Sequence, residues 1–158
     1  MALHLKNKIF ILSLFASLFI SAQSGTVIKV KDGDTIVILD QDKQQHTIRV
    51  ADIDCPERGQ PFSKIAKDFV SQEVFGQQVE VEKLKTDRYG RTVGRVLYDE
   101  KDLALELLEH GLAWHYKYFS DNEQMAQLEE NARNEKKGLW ADPYPINPYD
   151  WRKGKRNR

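Results

Sequence analysis

The sequence predicts an α+β fold with a mainly β core, a five-stranded β-barrel accompanied by three α-helices. Three observations carry that expectation. Short β-rich and amphipathic runs follow one another as three strands, one helix, two strands and two helices. The strands lack the long crossovers of a parallel sheet, which favours a small closed barrel. The chain is 158 residues long with 41% apolar residues, enough for one domain with a real core.

Each element has a local reason. Thr26 to Val30 and Thr35 to Leu39 are β-rich and flank Lys31-Asp32-Gly33-Asp34, where Asp-Gly reads as a hairpin turn. Gln45 to Val50 alternates, with Ile48 and Val50 on one face and Thr47 and Arg49 on the other. The first helix runs from Ser63 to Phe75, with Ile65, Ala66, Phe69, Val70 and Val74 at helical spacing and Gly76 beyond its end. Val79 to Leu84 and Val93 to Tyr98 are the last two strands. Asp102 caps a helix through Glu109, and Asp121 with Gln124 has capping-box spacing for a third, ended by Gly138. After Trp140, Pro143, Pro145 and Pro148 forbid further helix, and Tyr144, Tyr149 and Trp151 pin the segment to the body.

Charge divides the chain into three parts. Lysine plus arginine equals aspartate plus glutamate at 24 each, so the formal net charge is zero. Residues 1–23 carry +2, residues 24–150 carry −7 and residues 151–158 carry +5. Lys6 and Lys8 precede an apolar run from Ile9 to Ile20 and then small residues, the pattern of a signal peptide over 1–23. A run of twelve residues, Ser13 and Ser17 among them, is short for a membrane span, so the expected product is secreted or periplasmic, without stable membrane insertion after cleavage. The domain itself is expected over 24–142, followed by a Pro/aromatic segment and basic tail over 143–158. That tail is either a nucleic-acid or surface-binding extension or a solubilising end. One cysteine excludes an internal disulfide framework and the common Cys-based zinc sites.

Three polar clusters fall between these elements. Asp32-Gly33-Asp34-Thr35 sets two carboxylates on a tight turn, able to hold a hard cation that wants oxygen ligands, or simply to make the turn. Arg49 is followed by Asp52, Asp54, Cys55-Pro56-Glu57-Arg58, dense for a structural loop. Asp87-Arg88-Tyr89-Gly90-Arg91 projects two arginines from a sharp turn. His46, His110 and His115 lack metal-ligand spacing. No Ser or Cys nucleophile with its base and no Gly-rich phosphate loop is present.

In this order and spacing the clusters resemble the staphylococcal nuclease (thermonuclease) family, together with Gly111-Leu112-Ala113 and Gly138-Leu139-Trp140. The resemblance runs from about Val27 to Trp140 and implies an OB-fold barrel with three helices. It implies calcium, rather than magnesium, held by Asp34, Asp54 and the backbone carbonyl of Cys55, with Asp32 acting through the metal's water. It implies Glu57 as general base, Arg49 and Arg91 on the scissile phosphate, and Arg88 and Tyr89 against the nucleotide. Cys55 stands where the family commonly has Thr. Tyr116 and Tyr118 lie in an aromatic segment suited to stacking on bases or to core packing.

The chemistry agrees with the carry-over. Phosphodiester hydrolysis needs an activated water and charge stabilisation on the phosphate. Arginine offers phosphate a bidentate contact that lysine does not. Four acids and two arginines leave such a site negative, so activity is expected to require a divalent cation. The expected function is an exported, monomeric nuclease cutting DNA and RNA, and the resemblance implies products with 3′-phosphate and 5′-hydroxyl ends. The alternatives are a non-catalytic OB-fold nucleic-acid-binding module and an acidic structural protein of the cell envelope. The acidic body argues against tight binding to long duplex DNA.

Overall fold

A computed structural model describes residues 22–156. In chain order the elements are β1 (Ala22–Asp32), β2 (Thr35–Leu39), β3 (Gln45–Val50), β4 (Ile53–Asp54), α1 (Ser63–Val74), β5 (Gln78–Thr86), β6 (Thr92–Tyr98), β7 (Lys101–Asp102), α2 (Leu103–Glu109), β8 (Trp114–His115), α3 (Glu123–Asn134), a 3-10 turn (Gly138–Ala141) and α4 (Pro148–Arg152). Strands β3, β2, β1, β5 and β6 lie side by side in that order, each antiparallel to the next. Strand β3 then meets β6 in parallel through Ile48–Thr92, Arg49–Val93 and Val50–Gly94, closing a five-stranded barrel. Closure removes the open sheet edges.

Strand β1 is longer than the run Thr26 to Val30 because it serves two partners. Its first half, Ala22 to Thr26, pairs with β5, and from Thr26 onward it pairs with β2. Inside the barrel Ile36, Ile38, Ile48, Val50, Val81 and Val96 are fully buried. Helix α1 covers the barrel with Ala66, Val70 and Val74, and α2 adds Leu103, Leu107 and Leu108. A smaller cluster of Ala132, Leu139 and Trp140 packs with Phe62 and Trp114 at the far side of α3.

The predicted barrel and its three helices are present, with corrections. A fourth helix, α4, begins at Pro148, the residue expected to forbid one. Proline breaks helix interiors but suits the first turn, where its missing N–H has no partner to lose. Asn147 caps it by accepting a hydrogen bond from the Tyr149 N–H at 2.8 Å. Helix α3 is capped by Asn122, not Asp121, through the Met125 N–H at 3.1 Å, and it ends at Asn134, with Gly138 opening the 3-10 turn. Of the three aromatics expected to pin the C-terminal segment, Tyr144 and Tyr149 are exposed and Trp151 is partly buried. Buried Pro148 and a hydrogen bond from Gln60 Nε2 to the Ile146 carbonyl (2.6 Å) also hold the segment. The apolar run expected to be a signal peptide lies outside the described residues. Among those described, no helix is long and apolar enough to cross a membrane.

Candidate active site

The hairpin between β1 and β2 pairs Asp32 with Thr35, leaving Gly33 and Asp34 at its tip. Gly33 is needed for a close approach. A Cβ there would lie 2.9 Å from the Ala66 Cβ and 3.0 Å from the Cys55 Sγ. The approach docks the turn against the strand end that follows β3. Asp34 Oδ2 accepts a hydrogen bond from the Cys55 N–H at 2.9 Å, and its Oδ1 accepts one from the Thr35 hydroxyl at 3.0 Å. Asp32 Oδ1 accepts from the Asp34 N–H at 3.2 Å.

Strand alternation turns Arg49 away from Ile48 and Val50, which enter the core. The chain then kinks at Asp52, which holds a left-handed φ of 63°, and doubles back so that Asp54 returns beneath Arg49. Pairing of β4 with β8 fixes that return, Asp54 lying opposite Trp114. The Arg49 guanidinium gathers the site. One nitrogen, Nη2, lies 3.3 Å from Asp34 Oδ2, 3.2 Å from Asp54 Oδ1 and 2.8 Å from the Ile53 carbonyl, while Nη1 donates to the Val50 carbonyl at 2.5 Å. Burial works against its charge, but Asp34 and Asp54 more than compensate and raise its pKa.

Glu57 follows on the loop after β4. Gln60, itself buried, accepts the Glu57 N–H at 2.9 Å through Oε1. Across the cavity, the turn between β5 and β6 carries Arg88, Tyr89 and Arg91. Arg91 Nε donates to Asp87 Oδ2 at 2.7 Å, and its Nη groups carry no hydrogen bond among the described residues. Arg88 bonds the Tyr89 hydroxyl at 2.6 Å and lies 4.8 Å over that ring. These groups, with Tyr116 and Phe119, line one cavity of about 580 Å³. Tyr116 meets Phe119 edge-on at 4.9 Å, and Lys85 Nζ lies 4.6 Å over the Phe119 ring. Tyr118 is 83% exposed and does not line the cavity, although it packs edge-on against Phe119 at 4.8 Å.

Two groups here were not legible beforehand. Arg152, read as part of a basic tail, belongs to α4 and enters this cavity. Its Nη2 lies 3.0 Å from Asp54 Oδ2, its Nη1 lies 3.3 Å from Asp54 Oδ1, and Nη1 also bonds Glu57 Oε1. Gln60 is the other. Five basic residues in eight give no means of singling out Arg152, whereas Asn147-Pro148 was a usable helix-start signal.

The electrostatics is that of a site crowded with carboxylates. Burial first, then the Asp34 charge, pushes the Asp32 pKa up to about 6. Burial also raises that of Asp54, against the opposing hydrogen bond from Arg152. The Cys55 thiol is buried and pushed well above its ordinary range by desolvation, so it is a poor nucleophile at neutral pH. The donors are hard oxygens, and Asp34 and Asp54 each place an oxygen within 3.3 Å of one arginine nitrogen. Among the described residues no group of three or more His, Cys, Asp or Glu side chains converges to hold an ion. The ligand set implied by the resemblance, Asp34, Asp54 and the Cys55 carbonyl, would offer a cation two carboxylates and one carbonyl, with water completing its shell. That set suits calcium or magnesium, not zinc.

Residues 47–142 match the family model described as staphylococcal nuclease homologue. The chain is 38% identical to a Haemophilus influenzae protein described as an uncharacterized endonuclease, over 80% of this chain and 71% of that one. It is 36% identical to the Escherichia coli protein ParB, over 85% and 81% of the two chains. It is 37% identical to a Shigella flexneri micrococcal nuclease, over 84% and 82%. With that match over more than half its length, and a closed five-stranded barrel beneath it, the chain belongs to the staphylococcal nuclease family.

Proposed function

We propose that this protein is an exported, metal-dependent nuclease that hydrolyses phosphodiester bonds of DNA and RNA. Glu57 serves as general base, and Arg49 and Arg91 stabilise the phosphate. The observation that supports this most is the convergence of Asp34, Asp54, Arg49, Glu57 and Arg91 on one cavity from four separate parts of the chain. A purely structural loop has no use for so many partly desolvated charges.

The residues divide the chemistry between them. A calcium ion bound by Asp34, Asp54 and the Cys55 carbonyl would polarise the phosphate and supply the positive charge that the carboxylates call for. Asp32, beside Asp34, would order water in that shell. Glu57 takes a proton from the attacking water as the water oxygen bonds to phosphorus. The bond to the 5′-oxygen breaks and that oxygen takes a proton from solvent water, leaving a 3′-phosphate and a 5′-hydroxyl. Arg91 lines the cavity, and its Nη groups, without a hydrogen bond among the described residues, would serve phosphate oxygens. Arg49 contributes its charge from beneath the carboxylates, because its Nη groups are already committed to them and to two carbonyls. Tyr89, Arg88, Tyr116 and Phe119 give flat surfaces for bases, which suits sequence-tolerant binding of single strands.

The test is turnover of a labelled oligonucleotide by purified protein lacking residues 1–23, in calcium, magnesium and excess chelator, with Glu57→Gln and Arg91→Ala alongside. The proposal expects cutting in calcium, none in chelator, and losses of about 100-fold or more in both variants. Equal cutting by both variants would remove the catalytic assignment. Binding without cutting under every condition would favour a non-catalytic module.

A further inference from the structure

Five basic residues close the sequence, and the proposed chemistry uses none of them. Three of the others are spent on their own segment. Lys153 lies 4.2 Å over the Tyr149 ring, Lys155 pairs with Asp150 at 3.3 Å, and Arg156 lies 3.7 Å over the Trp151 ring. Among the described residues of this segment, Arg152 is the one that reaches back across the chain to Asp54 and Glu57. Its approach is built: Gln60 holds the Glu57 N–H with one end of its amide and the Ile146 carbonyl, just ahead of α4, with the other. One buried side chain thus fixes the loop that carries Glu57 and the segment that carries Arg152.

We infer that Arg152 is a positioning residue of this site: its guanidinium fork bridges Asp54 and Glu57, holds the Glu57 carboxylate in the cavity, and competes with the divalent cation for Asp54. This rests on the nuclease reading above. The charges support it. Asp32, Asp34, Asp54 and Glu57 against Arg49, Arg91 and Arg152 leave one net negative charge, and a divalent cation turns that into one net positive charge. A single phosphodiester anion then matches the loaded site, whereas two arginines and the cation would only have neutralised it. Arg152 therefore costs affinity for the cation and returns a fixed base and an attractive field for substrate.

That trade predicts a signature which a merely structural contact would not give. Arg152→Gln binds calcium about 5- to 20-fold more tightly by titration calorimetry without substrate, because a competing charge is gone. At saturating calcium its kcat falls about 10- to 100-fold on a short fluorogenic oligonucleotide, because Glu57 has lost its partner. Arg152→Lys keeps the charge but not the fork, so its calcium affinity returns to within about twofold of wild type while kcat recovers only in part. Thermal melts confirm that both variants fold, and a variant that does not melt cooperatively leaves the other to decide. Calcium affinity unchanged or weaker in Arg152→Gln, or kcat unchanged at saturating calcium, overturns the inference. Loss of the nuclease reading looks different: wild type itself fails to cut, or Glu57→Gln cuts normally, while the calorimetry still reports on Arg152 and Asp54.

Discussion

Replacing Arg49 with methionine asks how much of this site is held together by one buried cation. The side chains of Arg49, Asp34 and Asp54 are only 15%, 11% and 5% exposed. Removing one partner from a buried ion pair typically costs about 3–5 kcal/mol, because the remaining charge is left without compensation. Compensation here is partial. Asp34 keeps the Cys55 N–H and the Thr35 hydroxyl, and Asp54 keeps Arg152. The expected loss in chelator at neutral pH is therefore nearer about 2–3 kcal/mol. With a urea slope of about 1.5 kcal/mol/M, the unfolding midpoint should fall by about 1.3–2 M. Calcium should restore much of that difference, since the freed carboxylates now have a cation to bind and ligand binding adds stability by mass action. The assay is equilibrium urea unfolding followed by tryptophan fluorescence, run with chelator and with calcium. A midpoint within about 0.2 M of wild type in chelator would refute the reasoning, because it would mean the buried carboxylates do not depend on Arg49.

Gly33→Ala should destabilise the protein by about 1–3 kcal/mol in a thermal melt and weaken calcium binding, because the added Cβ meets Ala66 and Cys55 and pushes the Asp34 turn off its seat. Unchanged melting and calcium titration would show that the turn does not dock there. Cys55, buried and with its thiol pKa raised, should resist a thiol-specific reagent in the folded protein and react at once in denaturant. Tyr89→Ala and Phe119→Ala should each weaken single-strand binding by about 1–3 kcal/mol in fluorescence anisotropy, with Tyr118→Ala much nearer wild type. Equal losses in all three would contradict the division between cavity-lining and outlying rings.

The alternation of Gln45 to Val50 was legible residue by residue, because burying Ile48 and Val50 leaves Arg49 only the other face. The Asp-Gly turn was equally local, since the pairing of Asp32 with Thr35 follows from loop length. What escaped is long-range. The kink at Asp52 that returns Asp54 beneath Arg49 accompanies tertiary pairing of β4 with β8, and although Asp tolerates the left-handed region, nothing local marks Asp52 over the neighbouring aspartates for it. Pro148 was read for what proline forbids inside a helix and not for what it favours at a helix start. With α4 missed, Arg152 stayed in an undifferentiated basic tail, roughly a hundred residues away in sequence from the carboxylates it holds. The Arg49 assignment also needed the structure. The resemblance implies a place for it beside the phosphate, whereas in the structure its Nη nitrogens bond or pair with Asp34, Asp54 and two carbonyls.

The measurement closest to the central claim is end-group analysis of the products from a defined single-stranded oligonucleotide, incubated with the purified protein in calcium and in excess chelator. Internal cleavage in calcium that yields 3′-phosphate and 5′-hydroxyl termini is expected, with no cleavage in chelator. Products with 5′-phosphate ends, or cleavage that persists in chelator, would contradict it.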